Sequence, residues 1–131
     1  MKKHEQGFTL IELLFVIAIL GILAAIAIPK FSSVTAAANT AKIQADLRSI
    51  NAAILMHYVD KKTLLIGDIG LQLDDYLENV PKPPEGLSRL ADGTQVSIAN
   101  SVYSIAGNIA GNQYAQVTTD KGPKKLADFV K

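Results

Sequence analysis

The sequence predicts an α+β protein, in which a long N-terminal helix, half transmembrane and half amphipathic, packs against a small antiparallel sheet of about three strands. Three observations predict it. An apolar run from Phe8 to Ile28 is broken only by Thr9, Glu12 and Gly21, and about 20 helical residues suffice to cross a bilayer. Beyond Pro29 the apolar residues recur on one side only, as on a helix lying against a core. From Asp92 onward the pattern becomes alternating, with β-branched and aromatic residues at every second place. Helix first and strands afterwards is the order of an α+β domain whose sheet covers the apolar stripe of the helix.

The apolar run carries its one acid almost at its start. Insertion scales put ionisable residues such as aspartate at about 2.5–3.5 kcal/mol near a bilayer centre and less towards its edge, so Glu12 is a functional candidate. No Lys, Arg or His lies between Phe8 and Pro29 to neutralise it. A cut between Gly7 and Phe8 would create an α-amino group about one turn away. At ~4 Å and an effective dielectric of ~20, that pair gains about 4 kcal/mol, comparable with the cost of burial. The geometry is awkward within one helix and natural between two copies displaced along their axis. Gly21 with Ala25 adds a small-xxx-small pair, which lets helices approach closely in lipid.

Past Pro29, Ile43, Leu47, Ile50, Ile54 and then His57 or Tyr58 recur at three- and four-residue steps, while Lys42 and Asp46 stand one turn apart on another face. Proline lacks an N–H and kinks a helix, but membrane helices tolerate it. A helix from Phe8 to Lys62 would be about 80 Å long at 1.5 Å per residue. Gly67, Gly70, Pro81, Pro83, Pro84 and Gly86 punctuate a connecting region from Thr63 to Gly93, in which 71–77 can form a helical turn or two. Asp92-Gly93 is a tight-turn signal. Three antiparallel strands are expected over Gln95–Ala99, Ser101–Ala106 and Gln113–Thr119, with Gly107-Asn108 and Gly111-Asn112 flanking the second turn. Lys121-Gly122-Pro123-Lys124-Lys125 opens a tail whose Leu126, Phe129 and Val130 can dock on the head. The organisation expected is therefore a leader over 1–7, a transmembrane assembly helix over 8–30, an amphipathic stalk over 31–62 and a globular head over 63–131.

The string Gly7-Phe8-Thr9-Leu10-Ile11-Glu12, preceded by Lys2 and Lys3 and followed by the apolar run, resembles the class III signal of type IV prepilins and pseudopilins. The resemblance implies that a membrane-embedded prepilin peptidase cuts after Gly7 and methylates Phe8. It also places Glu12 on the acid that registers an incoming subunit, and Gly21 and Pro29 on the glycine and proline that bracket the meltable part of the helix in assembled fibres. The motif covers roughly the first 31 residues; farther on the likeness is one of architecture. Tyr76-Leu77-Glu78-Asn79-Val80-Pro81 is similar to the middle portion of small pilins and major pseudopilins. The Tyr-Pro often found after the stalk helix is missing, since Lys61-Lys62-Thr63-Leu64-Leu65 follows Asp60. A removed secretory signal cut near Ala24, Ala25 or Ala27, and a plain membrane anchor, are the rival readings of the same stretch.

Composition removes several other functions. The 131 residues carry a net charge of +1, unlike a polycation for nucleic acid or anionic lipid. Cysteine is absent, which excludes disulfides, thiol nucleophiles and Cys-based metal sites. After leader and anchor, about 100 residues remain, enough for one domain. Of the two histidines, His4 lies in the expected leader and His57 continues the apolar stripe as a satisfied core residue. Asp68, Asp74, Asp75, Glu78, Glu85 and Asp92 lack calcium-loop spacing, and the C-terminal calcium loop of major pseudopilins does not carry over to Asp120 and Asp128. Lys121, Lys124, Lys125 and Lys131 could meet an acidic neighbour or, with little support, nucleic acid. No catalytic set, metal site or cofactor is expected. The function expected is a structural subunit of a type IV pilus or pilus-like filament. Its partners are copies of itself, the peptidase, an assembly platform and motor, and membrane lipid. It would sit in the cytoplasmic membrane before assembly and in an extracellular or periplasmic filament afterwards. A secretion or DNA-uptake pseudopilin is the alternative within the class; a monomeric membrane-tethered binding module and a lipid-anchored enzyme lie outside it.

Overall fold

A computed structural model describes residues 7–63, 65, 67–69, 72–98, 102–107 and 113–130. Helix α1 runs over Leu10–Lys61. It is followed by β1 (Gly67–Asp68), β2 (Gly86–Arg89), β3 (Gln95–Ile98), β4 (Tyr103–Ala106), β5 (Tyr114–Thr119), β6 (Gly122–Lys125) and a 3₁₀ turn at Leu126–Asp128. Two compact units divide between Ser33 and Val34.

The first unit is the apolar part of α1. Its most hydrophobic window of 18 residues has a mean hydropathy of 2.9 and is wholly unburied. Pro29 sits inside the helix, where its ring nitrogen leaves the carbonyl four residues back without its usual donor.

The second unit is the α+β head. All five apolar-stripe residues, Ile43, Leu47, Ile50, Ile54 and His57, are buried as the spacing requires. The first four meet Val96 and Ile98 of β3, Tyr103 and Ile105 of β4, Ala115 and Val117 of β5, and Phe129, in one hydrophobic core. In-and-out alternation along β3, β4 and β5 delivers these residues to one side. β4 and β5 pair antiparallel, with Tyr103 opposite Val117 and Ile105 opposite Ala115.

The three expected strands are present as β3, β4 and β5, and three more join them. The sheets are a four-stranded one in the order β1-β4-β5-β6 and the β2-β3 hairpin. β2 arises within the stretch expected to be connecting chain, because Asp92-Gly93 closes a hairpin onto it. Gly93 takes φ 89, which favours glycine, while Leu90 N–H donates to Thr94 O at 2.8 Å and Thr94 N–H to Asp92 Oδ1 at 2.8 Å. β6 forms where a tail was expected. Its Lys-Gly-Pro-Lys-Lys composition disfavours a strand, yet Pro123 needs no N–H on the outer strand of a sheet, and β5 supplies the pairing. Of the tail's apolar residues Leu126 is half-buried and Phe129 buried, but Val130 stays 37% exposed. Over 72–77 the expected turn is made by Tyr76 and Leu77 N–H groups donating to Leu73 O. Residues 1–6 of the expected 1–7 leader and the Asn108, Gly111 and Asn112 turn positions lie outside the described residues.

Polar residues of α1 fix the strands' positions. Asn39 Nδ2 donates to Glu85 O and Leu87 O at 3.1 and 2.9 Å, and Thr40 Oγ1 accepts Arg89 N–H at 2.7 Å. These bonds occupy the side of β2 that faces away from β3, so that strand edge is covered by helix side chains. Gln44 Nε2 donates to Phe129 O at 2.7 Å, and Asn51 Oδ1 accepts Ala115 N–H at 2.7 Å. The fully buried Tyr103 donates its hydroxyl to Asp46 at 2.7 Å, and Lys42 pairs with the same carboxylate oxygen at 2.6 Å.

Burial first, and then the hydrogen bond to Asp46 and that group's charge, push the Tyr103 hydroxyl far above the ordinary tyrosine value of 10.0. A raised folded-state value means the contribution is complete below the unfolded value and lost as pH rises above it. Tyr103→Phe should lower head stability by about 1.5–3 kcal/mol at neutral pH, the worth of a hydrogen bond to a charged group. The deficit relative to wild type should shrink above pH ~10. Urea denaturation in detergent, followed by circular dichroism across that range, measures both.

Candidate functional site

The N-terminus of α1 brings together Gly7, Phe8, Thr9 and Glu12. Thr9 precedes the first helical residue, and its carbonyl accepts Leu13 N–H at 3.2 Å. Glu12 Oε2 accepts both the backbone N–H and the hydroxyl of Thr9, each at 2.8 Å, while Glu12 N–H donates to Thr9 Oγ1 at 3.3 Å. This is a reciprocal capping box, with Thr9 as N-cap and Glu12 at the third helical position. Sequence reasoning took Glu12 for an acid in search of a cation. The spacing Thr9-Leu10-Ile11-Glu12, threonine followed three residues later by glutamate at a helix start, was the signal for its second role.

The box has two chemical effects. It satisfies donors that a helix start would otherwise leave bare in an apolar medium. It also uses Oε2 alone: among the described residues, Oε1 has no hydrogen-bond partner. A carboxylate so held offers an oxygen for a second donor without losing its cap.

The remaining sequence-predicted residues lie around or beyond this turn. Gly7 is exposed with open space where a side chain would start, and Phe8 is 87% exposed. Gly21 is helical, and a Cβ built on it meets nothing within 4 Å, so nothing among the described residues demands a glycine there. Pro29 follows two turns later within the same helix. From Leu10 to Ile28 the large apolar side chains are exposed throughout. Such a surface is stable only in lipid or against other helices.

No group of three His, Asp or Glu residues among those described is placed to hold a metal. His57 is buried, 6% exposed, and meets Tyr76 edge-on at 5.5 Å. The expectation of a satisfied core histidine is half met: its Nδ1 has no hydrogen-bond partner among the described residues. Tyr76 donates to Asp60 at 2.6 Å, which pushes its hydroxyl up to about 12, and Lys61 pairs with Asp75 at 3.1 Å. These bonds fasten the 72–77 turn to the end of α1. The lysines at and before the C-terminal strand point to separate partners: Lys121 Nζ, in the turn before β6, donates to Gln95 O, and Lys125 Nζ lies 5.5 Å over the Tyr114 ring.

Known families and proteins match the same segment and then the whole. The family described as the prokaryotic N-terminal methylation motif matches residues 2–28. The type IV major fimbrial protein FimA of Dichelobacter nodosus is 42% identical over 62 residues, covering 47% of this chain. That stretch is only 40% of FimA's own length. The type IV wide pilus major component PilA4 of Thermus thermophilus is 32% identical over 123 residues, 94% of this chain and 88% of PilA4. The type II secretion system core protein G of Pseudomonas aeruginosa is 31% identical over 112 residues, 72% of this chain and 79% of that protein. No solved structure matches the chain.

The capping box and the charge can be separated by substitution. Thr9→Val removes the hydroxyl of the box and keeps the carboxylate, and should weaken the first turn by about 1 kcal/mol. Faster amide exchange at Leu10–Leu13 in micelles, with the rest of the helix unchanged, is the expected result.

Proposed function

Because the chain belongs to the type IV pilin and pseudopilin family, we propose that it is a structural subunit of a pilus or pilus-like filament, polymerised through its N-terminal helix. One observation carries the reading: an exposed apolar segment whose single acid is capped on one carboxylate oxygen and, among the described residues, open on the other. A prepilin peptidase cuts between Gly7 and Phe8 and methylates the new amine. The subunit waits in the cytoplasmic membrane with Phe8 to Ile28 in lipid. There the open oxygen of Glu12 receives the terminal ammonium of an adjacent copy, so burial of the acid is offset only on assembly. Lateral packing of the apolar helices supplies the association energy, with Gly21 allowing close approach and Pro29 a local weak point in the hydrogen-bond ladder. A motor and platform carried by other chains drive extension and supply the nucleotide chemistry.

The likeness to protein G favours a second reading, the short periplasmic filament of a type II secretion system. Both readings use the same processing and the same helix, and they part at the head, whose neighbours differ. The chain acts as a scaffold in either case and does no catalysis.

Mass spectrometry of chain purified from membranes should give an N-terminus at Phe8 carrying one added methyl. An intact Met1, or a cut after Ala27, would point instead to a plain anchor or a removed signal. The role of Glu12 has its own test. Glu12→Gln keeps an oxygen for the Thr9 cap and loses the charge, whereas Glu12→Ala loses both. Both variants should insert in membranes, and both should lower fibre yield at least tenfold; normal fibres from Glu12→Gln would reduce the acid to a helix cap.

A further inference from the structure

A cleft of about 350 Å³ opens in the head between α1 and the end of β2, a volume within the usual range of small-molecule sites, about 300–1,000 Å³. Ala37, Ala41 and Gln44 of α1 form one wall, and Arg89, Leu90 and Ala91 the other, with Phe129 beside them. Alanine at 37, 41 and 91 is what leaves the space unfilled. The walls keep their shape without an occupant, because their backbone groups are already paired. Thr40 Oγ1 accepts Arg89 N–H at 2.7 Å, and Gln44 Nε2 donates to Phe129 O at 2.7 Å. Leu90 N–H donates to Thr94 O and Ala91 N–H to Asp128 O, each at 2.8 Å. A cleft fastened in this way is preformed, and a preformed site loses little to ordering when it binds. What the walls leave unspent is charge. Arg89 is exposed, and among the described residues it bonds only through its backbone, to Thr40, with no ion pair on its guanidinium. The acids flanking the walls accept from other groups, Asp92 from Thr94 N–H and Asp128 from Lys125 N–H.

We propose that this cleft binds a small carboxylate with a compact apolar body, the carboxylate on Arg89 and the body between Ala37, Ala41 and Leu90. The charge selects the head of the ligand. A guanidinium presents parallel N–H donors that match the two oxygens of a carboxylate, and one cation balances one negative charge, which suits a monocarboxylate better than a doubly charged phosphate ester. Gln44 adds a second donor, because its amide nitrogen carries two hydrogens and the bond to Phe129 O uses one. The walls select the body. Alanine and leucine side chains offer no polar partner, so an apolar group gains by leaving water there, while the charged contact fixes which way round the ligand lies. The inference uses residues of the head alone and does not depend on the filament reading.

Naphthoate is the probe, titrated into the isotope-labelled full chain in detergent micelles and followed by amide NMR. Saturable shifts are expected at Ala41, Leu90, Ala91 and Phe129. Naphthylmethanol, with the same body and no charge, should bind about tenfold more weakly, and Arg89→Gln should weaken naphthoate binding by about the same factor. Ala41→Phe fills the cleft from its helix wall and should abolish the saturable shifts. Both substitutions are at exposed positions, so both variants should melt as wild type does. Shifts that never saturate, equal affinity for the alcohol, or unchanged affinity in Arg89→Gln would overturn the proposal. Absence of binding in wild type together with lost fibre yield from Ala41→Phe would assign the cleft to a neighbouring copy and overturn it as well.

Discussion

A helix with no polar side has nowhere to rest in water, and the organisation of this protein follows from that constraint. Through Ile28 the large apolar residues are exposed and find no cover among the described residues. Past Val34 the sheet covers one side, and alanine with a few larger residues occupies the other. Lipid can serve the first part before assembly. The helix thus carries a deficit of cover that lipid or other helices must meet.

The acid at the start of the helix shows how two requirements share one side chain. A helix that begins in an apolar medium needs its first N–H groups satisfied, and Glu12 with Thr9 meets part of that need. A filament needs a contact that is costly when incomplete, so that subunits register before they lock. One oxygen of the carboxylate makes the cap, and on the function proposed above the other takes the contact with the adjacent copy. The same division explains why a neutral, isosteric replacement tells more than truncation: it leaves the local structure while removing the charge.

The sequence made most of the head legible where physics is local and periodic. The stripe Ile43, Leu47, Ile50, Ile54 and His57 was readable because a three-four repeat admits one buried face, and β3 to β5 were readable because their alternation is regular. β2 and β6 were not. Each is four residues long with a glycine at its start, and Pro123 and two lysines sit in β6; what makes them strands is a partner distant or adjacent in sequence, not their own composition. At the site, the motif around Glu12 was visible and the capping box was overlooked, since attention to the charge hid an ordinary helix start.

The cross-bonds between α1 and the rest of the head bear on mechanics. Asn39 and Thr40 grip β2 and the residue before it, Asn51 grips Ala115 of β5 and Gln44 grips Phe129. Traction along the helix therefore loads these grips together, in shear, instead of peeling them one after another like a zipper. A head fastened in this way resists being stripped from its stalk by a pull, using short-range polar bonds where many extracellular domains rely on a covalent sulfur bridge.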